Sequence, residues 1–178
     1  MDYKAASPEL ETKRLSMRWL TEEDAPLMLA IWNDPAFILH VGDREIRDIE
    51  QARQAMRDGI LKVYRDQRMG PYGLFLHGSD EAMGICGLFK RENLEFPDIG
   101  YALLPAYGGK GYAFEAAQAV SEHARGHMAL ESLLAIVSPG HDRSINLLEK
   151  LGMTAGKQIR MPGDDDDVML YSMALNVR

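Results

Sequence analysis

The sequence predicts a mixed α/β fold, and three features of the chain predict it. Strand-like alternation and apolar residues at helical spacing follow one another along its 178 residues. Three strand-like segments stand in succession between residues 72 and 104, which indicates a meander. Helix and strand segments then alternate before a last pair of strands. A meander followed by such an alternation implies one mixed sheet whose faces are both partly covered by helices.

The N-terminal part is predicted as one strand and two helices. Polar and apolar residues alternate over residues 14–20, which is typical of a strand. Thr21 then caps a helix with an acidic first turn, the charge that a helix N-terminus prefers. Residues 34–47 are predicted as a loop. Apolar side chains at helical spacing over residues 49–63 predict the second helix, and a Gly-Pro pair at 70–71 ends that pattern.

The remaining segments complete the predicted order β-α-α-β-β-β-α-β-α-β-β. In chain order they are strands 72–77, 82–90 and 98–104, helix 112–125, strand 132–138, helix 142–151, and strands 154–160 and 168–175. No internal repeat and no long Pro-, Gly- or Ser-rich linker interrupts them. We therefore expect residues 1–178 to form a single domain.

Composition and charge narrow the function classes. The chain has 20 Lys and Arg against 27 Asp and Glu, a net charge of −7, which argues against nucleic acid as the main partner. The negative charge suits a cationic substrate or simple solubility. No apolar run approaches the length of a membrane span, and the N-terminus has no signal-peptide core. The single Cys86 lies in an apolar run, so we interpret it as a buried small hydrophobe in a cytoplasmic protein.

A glycine-rich loop stands between the strand 98–104 and the helix 112–125. Glycines at 108, 109 and 111 let the backbone approach a ligand closely, and the helix start adds a positive dipole end, so the loop predicts a phosphate site. The spacing does not fit the Walker pattern, and Phe114 takes the third glycine position of the dinucleotide pattern, which disfavours a nucleotide-binding oxidoreductase. A plain strand-to-helix turn is the alternative interpretation of these residues alone.

Two blocks of the sequence resemble the GNAT N-acetyltransferases, and most of all the branch of ribosomal-protein N-terminal (alanine/serine) acetyltransferases. Residues 98–116 resemble the acetyl-CoA motif of the family. Residues 139–153 are similar to that branch's Asn-x-x-Ser-Ile-x-x-Leu-Glu-Lys-Leu-Gly-Phe block, and Glu-Thr-x-Arg-Leu-x-x-Arg at 11–18 resembles its opening. The resemblance covers nearly the whole chain. It implies a GNAT-like acyl-CoA N-acyltransferase fold and transfer of an acetyl group from acetyl-CoA to a primary amine by direct attack in a ternary complex.

The resemblance also implies how acetyl-CoA, as co-substrate, is bound. The residues implied are Leu103, Leu104, Gly108, Gly109, Lys110, Gly111, Tyr112, Ala113, His141 and Ser144. The strand 98–104 is expected to splay from the strand 132–138, so that the pantetheine arm enters the gap and free N–H groups near Leu103 and Leu104 polarise the thioester carbonyl. Lys110 either adds a charge near a phosphate or is a solvated loop lysine. Gly108 and His141 replace a Gln or Arg and an Asn of the family, which removes or alters two contacts.

Two catalytic residues follow from the same resemblance. Asp98 occupies the position where several GNAT enzymes carry a glutamate that takes the proton of the amine; the shorter aspartate favours a bridging water. The alternative is an exposed aspartate at a strand start. Leu148 stands where many members have a tyrosine that stabilises the leaving thiolate, and a leucine cannot donate a hydrogen bond. Ser144 is therefore the better candidate, because it matches a serine of the branch whose hydroxyl can donate to the sulfur. The alternative is that Ser144 caps the first turn of its helix.

The acceptor is the least defined part of the prediction. Phe37, Tyr101 and Tyr171 are candidate substrate-binding residues, although strand aromatics are more often core residues. The acidic run 164–167 either attracts an ammonium group or is a solvated loop. The expected partner is a small-molecule or peptide amine, without nucleic acid or membrane. The resemblance leaves a homodimer open, because dimers are common in similar proteins.

The sequence leaves one alternative function open and predicts no metal site. The changes at Gly108, His141 and Leu148 keep a non-catalytic acyl-CoA-binding module or sensor as the alternative to an enzyme. No metal is expected, because no His, Cys or Asp cluster has ligand spacing. His123 and His127 stand four residues apart on one predicted helix, but no third ligand is evident.

Overall fold

The structure is a computed structural model and describes residues 9–163 and 165–175. These residues form eight strands in one sheet, and six α-helices. The strands are β1 (Leu10–Glu11), β2 (Leu15–Trp19), β3 (Pro71–Leu76), β4 (Ala82–Phe89), β5 (Asp98–Leu103), β6 (Ser132–Val137), β7 (Thr154–Arg160) and β8 (Asp167–Ala174). The helices are α1 (Ala25–Trp32), α2 (Pro35–Val41), α3 (Ile49–Asp58), α4 (Ile60–Gln67), α5 (Tyr112–Gly126) and α6 (Asp142–Lys150). The predicted mixed α/β class is confirmed.

The sheet order is β1-β2-β3-β4-β5-β6-β8-β7, and all neighbours are antiparallel except β5 and β6. Those two strands are parallel and pair only where Asp98 lies opposite Leu134. There the N–H of Leu134 donates to the carbonyl of Pro97 at 2.9 Å. Beyond this point the strands diverge, so the predicted splay is confirmed. The centre of the sheet is therefore open between β5 and β6.

Apolar patterning explains how the central strands and N-terminal helices come together. In β2 the alternation predicted from sequence buries Leu15, Met17 and Trp19 on one face. The ring of Trp19 stacks on Tyr64 of α4 with 4.4 Å between centroids. The Tyr64 hydroxyl accepts from the N–H of Leu20 at 3.1 Å and donates to the carbonyl of Pro71. These contacts tie α4 to both β2 and β3.

The structure departs from the predicted elements in three places. Residues 35–41, predicted as loop, form helix α2, because the Asp34 carboxylate caps it by accepting from the N–H groups of Ala36 and Phe37. Pro35 occupies the first turn, where its missing N–H costs nothing. The predicted second helix is two helices, α3 and α4, separated at Gly59. The short strand β1 was not predicted at all. None of the helices among the described residues is long and apolar enough to cross a bilayer.

Candidate active site

The divergence of β5 and β6 opens a cleft with two adjoining halves. We call the cavity beside residues 108–114 the loop half; its volume is about 560 Å³. We call the cavity beside Asp98 and β6 the strand half; its volume is about 740 Å³. Tyr101, His141 and Ser144 line both halves. Each volume is in the range of small-molecule sites, and the shared lining residues show that the two cavities adjoin.

The loop half presents unused backbone donors. Helix α5 follows Gly111, and no side chain caps it. Its first internal hydrogen bond joins the N–H of Glu115 to the Gly111 carbonyl at 3.1 Å. The N–H groups of the three preceding residues therefore have no acceptor within the helix. Those residues, Tyr112, Ala113 and Phe114, line the loop half, which thereby offers an anion site at a positive helix end.

The glycines of this loop have different roles. Gly109 and Gly111 have φ of +74° and +81°, which other residues adopt only with strain. A Cβ on Gly109 would meet no atom within 4 Å, so the space beside it is open. Gly108, by contrast, has φ of −65° and ψ of 153°, a conformation open to any residue. All three line the loop half, but only Gly109 and Gly111 need to be glycine for the backbone to follow this path.

An ion-pair network fixes the loop against the N-terminal strands, and sequence reasoning missed it. The Arg14 guanidinium binds the Glu115 carboxylate at 2.6 Å and donates to the Lys110 carbonyl at 3.0 Å. Thr12 donates a further hydrogen bond to Glu115 at 2.6 Å. Burial raises the pKa of Glu115, but the bonds from Thr12 and Arg14 outweigh burial and hold that pKa below its ordinary value. The Glu-Thr-x-Arg opening of the sequence was the available signal.

The cations near the loop differ from those expected. The Lys110 ammonium turns back and donates to the Ala106 carbonyl at 3.0 Å, and this side chain is not part of the cavity lining. Arg143 and Lys150, which sequence reasoning missed, do line the loop half. The Lys150 ammonium lies 4.4 Å from the centroid of the Phe114 ring. Both residues belong to α6, so the positive charge of this half comes from the helix opposite the glycine loop.

The backbone donors at the end of β5 are only partly free. The N–H of Leu104 donates to the Met83 carbonyl at 2.9 Å, so the expectation of a free group at Leu104 is wrong. Leu104 continues the antiparallel pairing with β4, which uses every second N–H of β5. The N–H of Leu103 therefore points the other way, into the gap toward β6. Leu103 also lines the loop half, whereas Leu104 does not.

A tyrosine–serine pair stands where the two halves meet. The Tyr101 hydroxyl of β5 lies 2.8 Å from the Ser144 hydroxyl of α6, and 3.3 Å from the Ser144 carbonyl. Burial raises the pKa of Tyr101 to about 12, with the bond to Ser144 acting in the opposite sense. Both residues were predicted at the site but in separate roles. Leu148, at the family's tyrosine position, is buried in the core, so Tyr101 is the phenol beside Ser144.

A pair of histidines closes one side of the cleft. The rings of His40 on α2 and His141 before α6 stack with 3.7 Å between centroids and 2° between planes. The Ser138 hydroxyl donates to the His40 carbonyl at 2.8 Å, which joins α2 to the end of β6. Burial, and then the nearby charges of His40 and Arg143, lower the pKa of His141. The unpredicted helix α2 is thus a wall of the cleft.

Asp98 is almost fully buried, 1% exposed, and lines the strand half. Its Oδ1 accepts from the Arg91 guanidinium at 2.8 Å. Burial raises the pKa of Asp98, and the charge and hydrogen bond of Arg91 oppose that rise. The alternative of an exposed aspartate at a strand start is therefore wrong. Arg91, seven residues earlier in the loop before β5, was not among the predicted site residues.

The predicted acceptor residues separate into two groups. Phe37 and Tyr101 line both halves of the cleft. Tyr171 instead lies in the hydrophobic core on β8, 4% exposed, outside the lining of both halves. Tyr171 occupies an inward position in the alternation of β8, and in the sheet it pairs with Ala135 of β6. Within the acidic run, Asp164 lies outside the described residues, Asp165 and Asp166 are exposed, and Asp167 pairs with Arg160 at 2.9 Å.

Among residues 9–163 and 165–175, no group of three or more His, Cys, Asp or Glu is placed to hold a metal ion. The rings of His123 and His127 stack on each other, with 4.9 Å between centroids. Cys86 is buried, as its apolar surroundings predicted, and burial raises the pKa of its thiol. A buried neutral thiol is inert, so Cys86 takes no part in the site.

Diverging parallel strands, with free backbone donors at a helix start beside the gap, define a protein of the acyl-CoA acyltransferase class. The chain belongs to the GNAT acetyltransferase family: residues 14–154 match the model of its acetyltransferase (GNAT) domain. The predicted family and the GNAT fold are therefore confirmed. The protein is an acyltransferase that moves an acetyl group to an amine.

Similar proteins agree with this assignment. An uncharacterized N-acetyltransferase p20 of Bacillus licheniformis is 31% identical over 144 residues, which is 80% of each chain. An acetyltransferase from Agrobacterium tumefaciens superposes with a TM-score of 0.78 at 25% identity, covering 93% of this chain and 94% of that one. A ribosomal L7/L12 α-N-protein acetyltransferase, RimL, solved with coenzyme A, shares the fold with a TM-score of 0.82 at 17% identity, covering 96% and 100%. The non-catalytic module is not favoured.

Proposed function

We propose that the protein holds acetyl-CoA in the loop half and a primary amine in the strand half, and that the amine attacks directly in a ternary complex. Acetyl-CoA supplies the activated thioester and an anionic pyrophosphate. The observation that carries this proposal is that the two halves adjoin: free helix N–H groups line one half, Asp98 lines the other, and Tyr101 and Ser144 line both. When two reactants are bound on either side of the same residues, the reaction between them becomes effectively intramolecular.

The backbone from Gly109 to Ala113 binds the pyrophosphate in this proposal. Several N–H groups directed at one anion act together with the helix dipole, and Arg143 and Lys150 add positive charge from the opposite wall. The Arg14–Glu115 pair holds the loop in place from behind. The N–H of Leu103 polarises the thioester carbonyl, a donor whose removal typically costs about 3 kcal/mol of barrier.

Ser144 stabilises the leaving thiolate by donating a hydrogen bond to sulfur. A thiol has an ordinary pKa of about 8.5, far below that of Tyr101, so a thiolate does not take the proton of either hydroxyl. The pair therefore acts as a fixed donor rather than an acid. The two hydroxyls lie 2.8 Å apart, and either can be the donor. In this proposal Tyr101 is the donor to the Ser144 oxygen, so that the Ser144 hydrogen is available to the sulfur.

Asp98 accepts the proton that the amine must lose. Amines have ordinary pKa values of about 8 to 10, so a base is needed near neutral pH. Arg91 binds Oδ1 of Asp98 and favours the charged form against the effect of burial, and Oδ2 receives the proton through a water. The raised pKa of Asp98 makes it a better proton acceptor than an exposed aspartate.

The test is thiol release from acetyl-CoA with a panel of primary amines, combined with calorimetry of CoA binding. Gly109→Leu fills the open space at the loop and should weaken CoA binding by about tenfold or more, because bonds to a charged ligand are lost. Gly78→Leu is the matched control: Gly78 has φ of +78°, equally open surroundings and a place in the turn between β3 and β4. Equal CoA affinity in both variants would contradict the placement of the pyrophosphate.

A further inference from the structure

The strand half carries an uncompensated positive charge. Its charged lining residues, apart from histidines, are Arg44, Lys90, Arg91, Glu92 and Asp98. Arg91 and Asp98 neutralise each other at 2.8 Å. Lys90 and Glu92, which have opposite charges, are exposed to solvent, as is Arg44. Arg44 is therefore the charge for which the lining provides no counterpart.

Arg44 lies in the loop after α2, with its guanidinium 5.9 Å from the centroid of the Trp32 ring. Within the described part of the chain it has no hydrogen bond and no carboxylate partner. Arg44 is exposed to solvent on one side, and on the side that faces the cavity burial, and then the charge of Arg91, lower its pKa.

Three other arginines differ from Arg44 because each has a carboxylate partner. Arg14, Arg18 and Arg47 each hold a carboxylate within 3 Å. Arg44 and Arg91 both line the strand half, and their positive charges repel each other, since the charge of Arg91 lowers the pKa of Arg44. An anion entering the strand half would relieve this repulsion and would form the bidentate contact for which a guanidinium is shaped.

We propose that the acceptor amine carries an anionic group, a carboxylate or a phosphate, that Arg44 binds in the strand half. This inference rests on the proposed placement of the amine in that half. It also reverses the expectation from composition, since a net charge of −7 suggested a cationic substrate. The cavity of about 740 Å³ accommodates an acceptor of amino-acid size with both its amine and its anion inside.

The experiment compares matched acceptors. L-phenylalanine is paired with L-phenylalaninamide, and O-phosphoethanolamine with ethanolamine, in the thiol-release assay. The acidic member of at least one pair should have a kcat/KM about tenfold or more above that of its neutral partner. For the first pair this order opposes intrinsic reactivity, because the amide has the lower amine pKa and the larger neutral fraction. A preference in one pair alone supports the inference and identifies the anion.

Variants then assign the preference to Arg44. Arg44→Gln should raise the KM for acidic acceptors by about tenfold, leave neutral acceptors within about twofold and leave CoA affinity unchanged by calorimetry. Arg44→Lys should keep part of the preference, since the charge remains. Arg53→Gln is the control for loss of one positive charge, because Arg53 pairs with Glu50 on the exposed side of α3.

The outcomes separate this inference from the proposed function. Equal kcat/KM within both pairs, or an Arg44→Gln effect that is equal for acidic and neutral acceptors, overturns the inference and leaves acetyl transfer intact. CoA binding without thiol release from any acceptor overturns the transfer itself, and this inference with it.

Discussion

The two halves of the cleft differ in the groups that form them, main-chain groups in one and side chains in the other. The loop half is made of main chain: the N–H groups that start α5 and two glycines with positive φ. The strand half is made of side chains that converge from distant segments. Tyr101 meets Ser144 across 43 residues, and Ser138 meets His40 across 98. One half is a local feature of the backbone, and the other exists only after the chain has folded.

This difference separates binding from chemistry and selectivity. A pyrophosphate common to many reactions is recognised by groups that every residue possesses, so the loop half tolerates sequence change wherever the backbone path survives. In our proposal the acceptor is recognised by Arg44 and the groups around Asp98, which single substitutions can alter. Variants in the strand half should therefore change kcat or acceptor choice, whereas variants around the loop half should change CoA affinity.

The largest effect is expected at Asp98. Asp98→Asn should lower kcat by about 100-fold or more and leave CoA affinity unchanged, because the proton acceptor is lost while the loop half is intact. The free energy of unfolding should change by less than about 1 kcal/mol, since burial already disfavours the charged form of Asp98. Steady-state kinetics and urea unfolding provide both measurements.

Asp24→Asn is the matched control for Asp98→Asn. Asp24 is also a mostly buried aspartate, and it receives two bonds of 2.9 Å from Arg18 at the start of α1. Its loss should lower stability without lowering kcat. If both variants lose kcat alike, the effect of Asp98 is structural and its role as the base is refuted.

The next effect concerns the Tyr101–Ser144 pair. Ser144→Ala should lower kcat by about tenfold, because one hydrogen bond to developing thiolate is lost. Tyr101→Phe should cost less, and the double variant should be no slower than Ser144→Ala, since Tyr101 acts through Ser144. Ser132→Ala, which removes a bond of 3.2 Å to the Met173 carbonyl, is the control. Additive losses in a double-mutant cycle would show that the hydroxyls act independently.

A smaller effect is expected at Glu115, whose ion pair with Arg14 holds the glycine loop in place. Glu115→Gln should weaken CoA binding by about threefold to tenfold with kcat unchanged, and lower the free energy of unfolding by about 1 kcal/mol. Because the folded-state pKa of Glu115 is depressed, its stabilisation is present above its unfolded-state pKa and disappears as pH falls through the folded-state value. The stability gap between wild type and variant should therefore narrow in acid.

Glu50→Gln is the control for Glu115→Gln. Glu50 pairs with Arg53 on the surface of α3, where an ion pair contributes little. CoA binding measured by calorimetry should be unchanged in this variant. A CoA affinity equal to wild type in Glu115→Gln as well would mean that the loop holds its shape without the carboxylate.

The same contrast explains how much could be predicted from the sequence. The order of most elements along the chain and the splay of β5 from β6 were predicted from periodicity and resemblance, and the glycine positions and resemblance predict the anion site at α5, which stays a prediction. The Arg91–Asp98 pair, the Tyr101–Ser144 contact and the unpaired Arg44 do not, because each depends on packing or burial that no local pattern encodes. Helix α2 was missed for a local reason: residues 34–47 were predicted as a loop, whereas Asp34 and Pro35 begin a new helix.

The smallest effect is expected from the histidines that join α2 to α6. Because burial and its neighbours lower the pKa of His141 in the folded protein, the neutral form is favoured and its stabilisation is present above an unfolded-state pKa of about 6.5. That stabilisation is lost as pH falls, when His141 gains a charge beside His40 and Arg143, with Asp142 acting in the opposite sense. His40→Phe keeps an aromatic ring on α2 but removes the electrostatic effect of His40 on His141. Wild type should therefore lose about 0.5 kcal/mol more free energy of unfolding than His40→Phe between pH 7.5 and 5.5. Urea unfolding at several pH values measures this difference. If the free energies of the two proteins change in parallel with pH, the contact on this side of the cleft is not pH-sensitive.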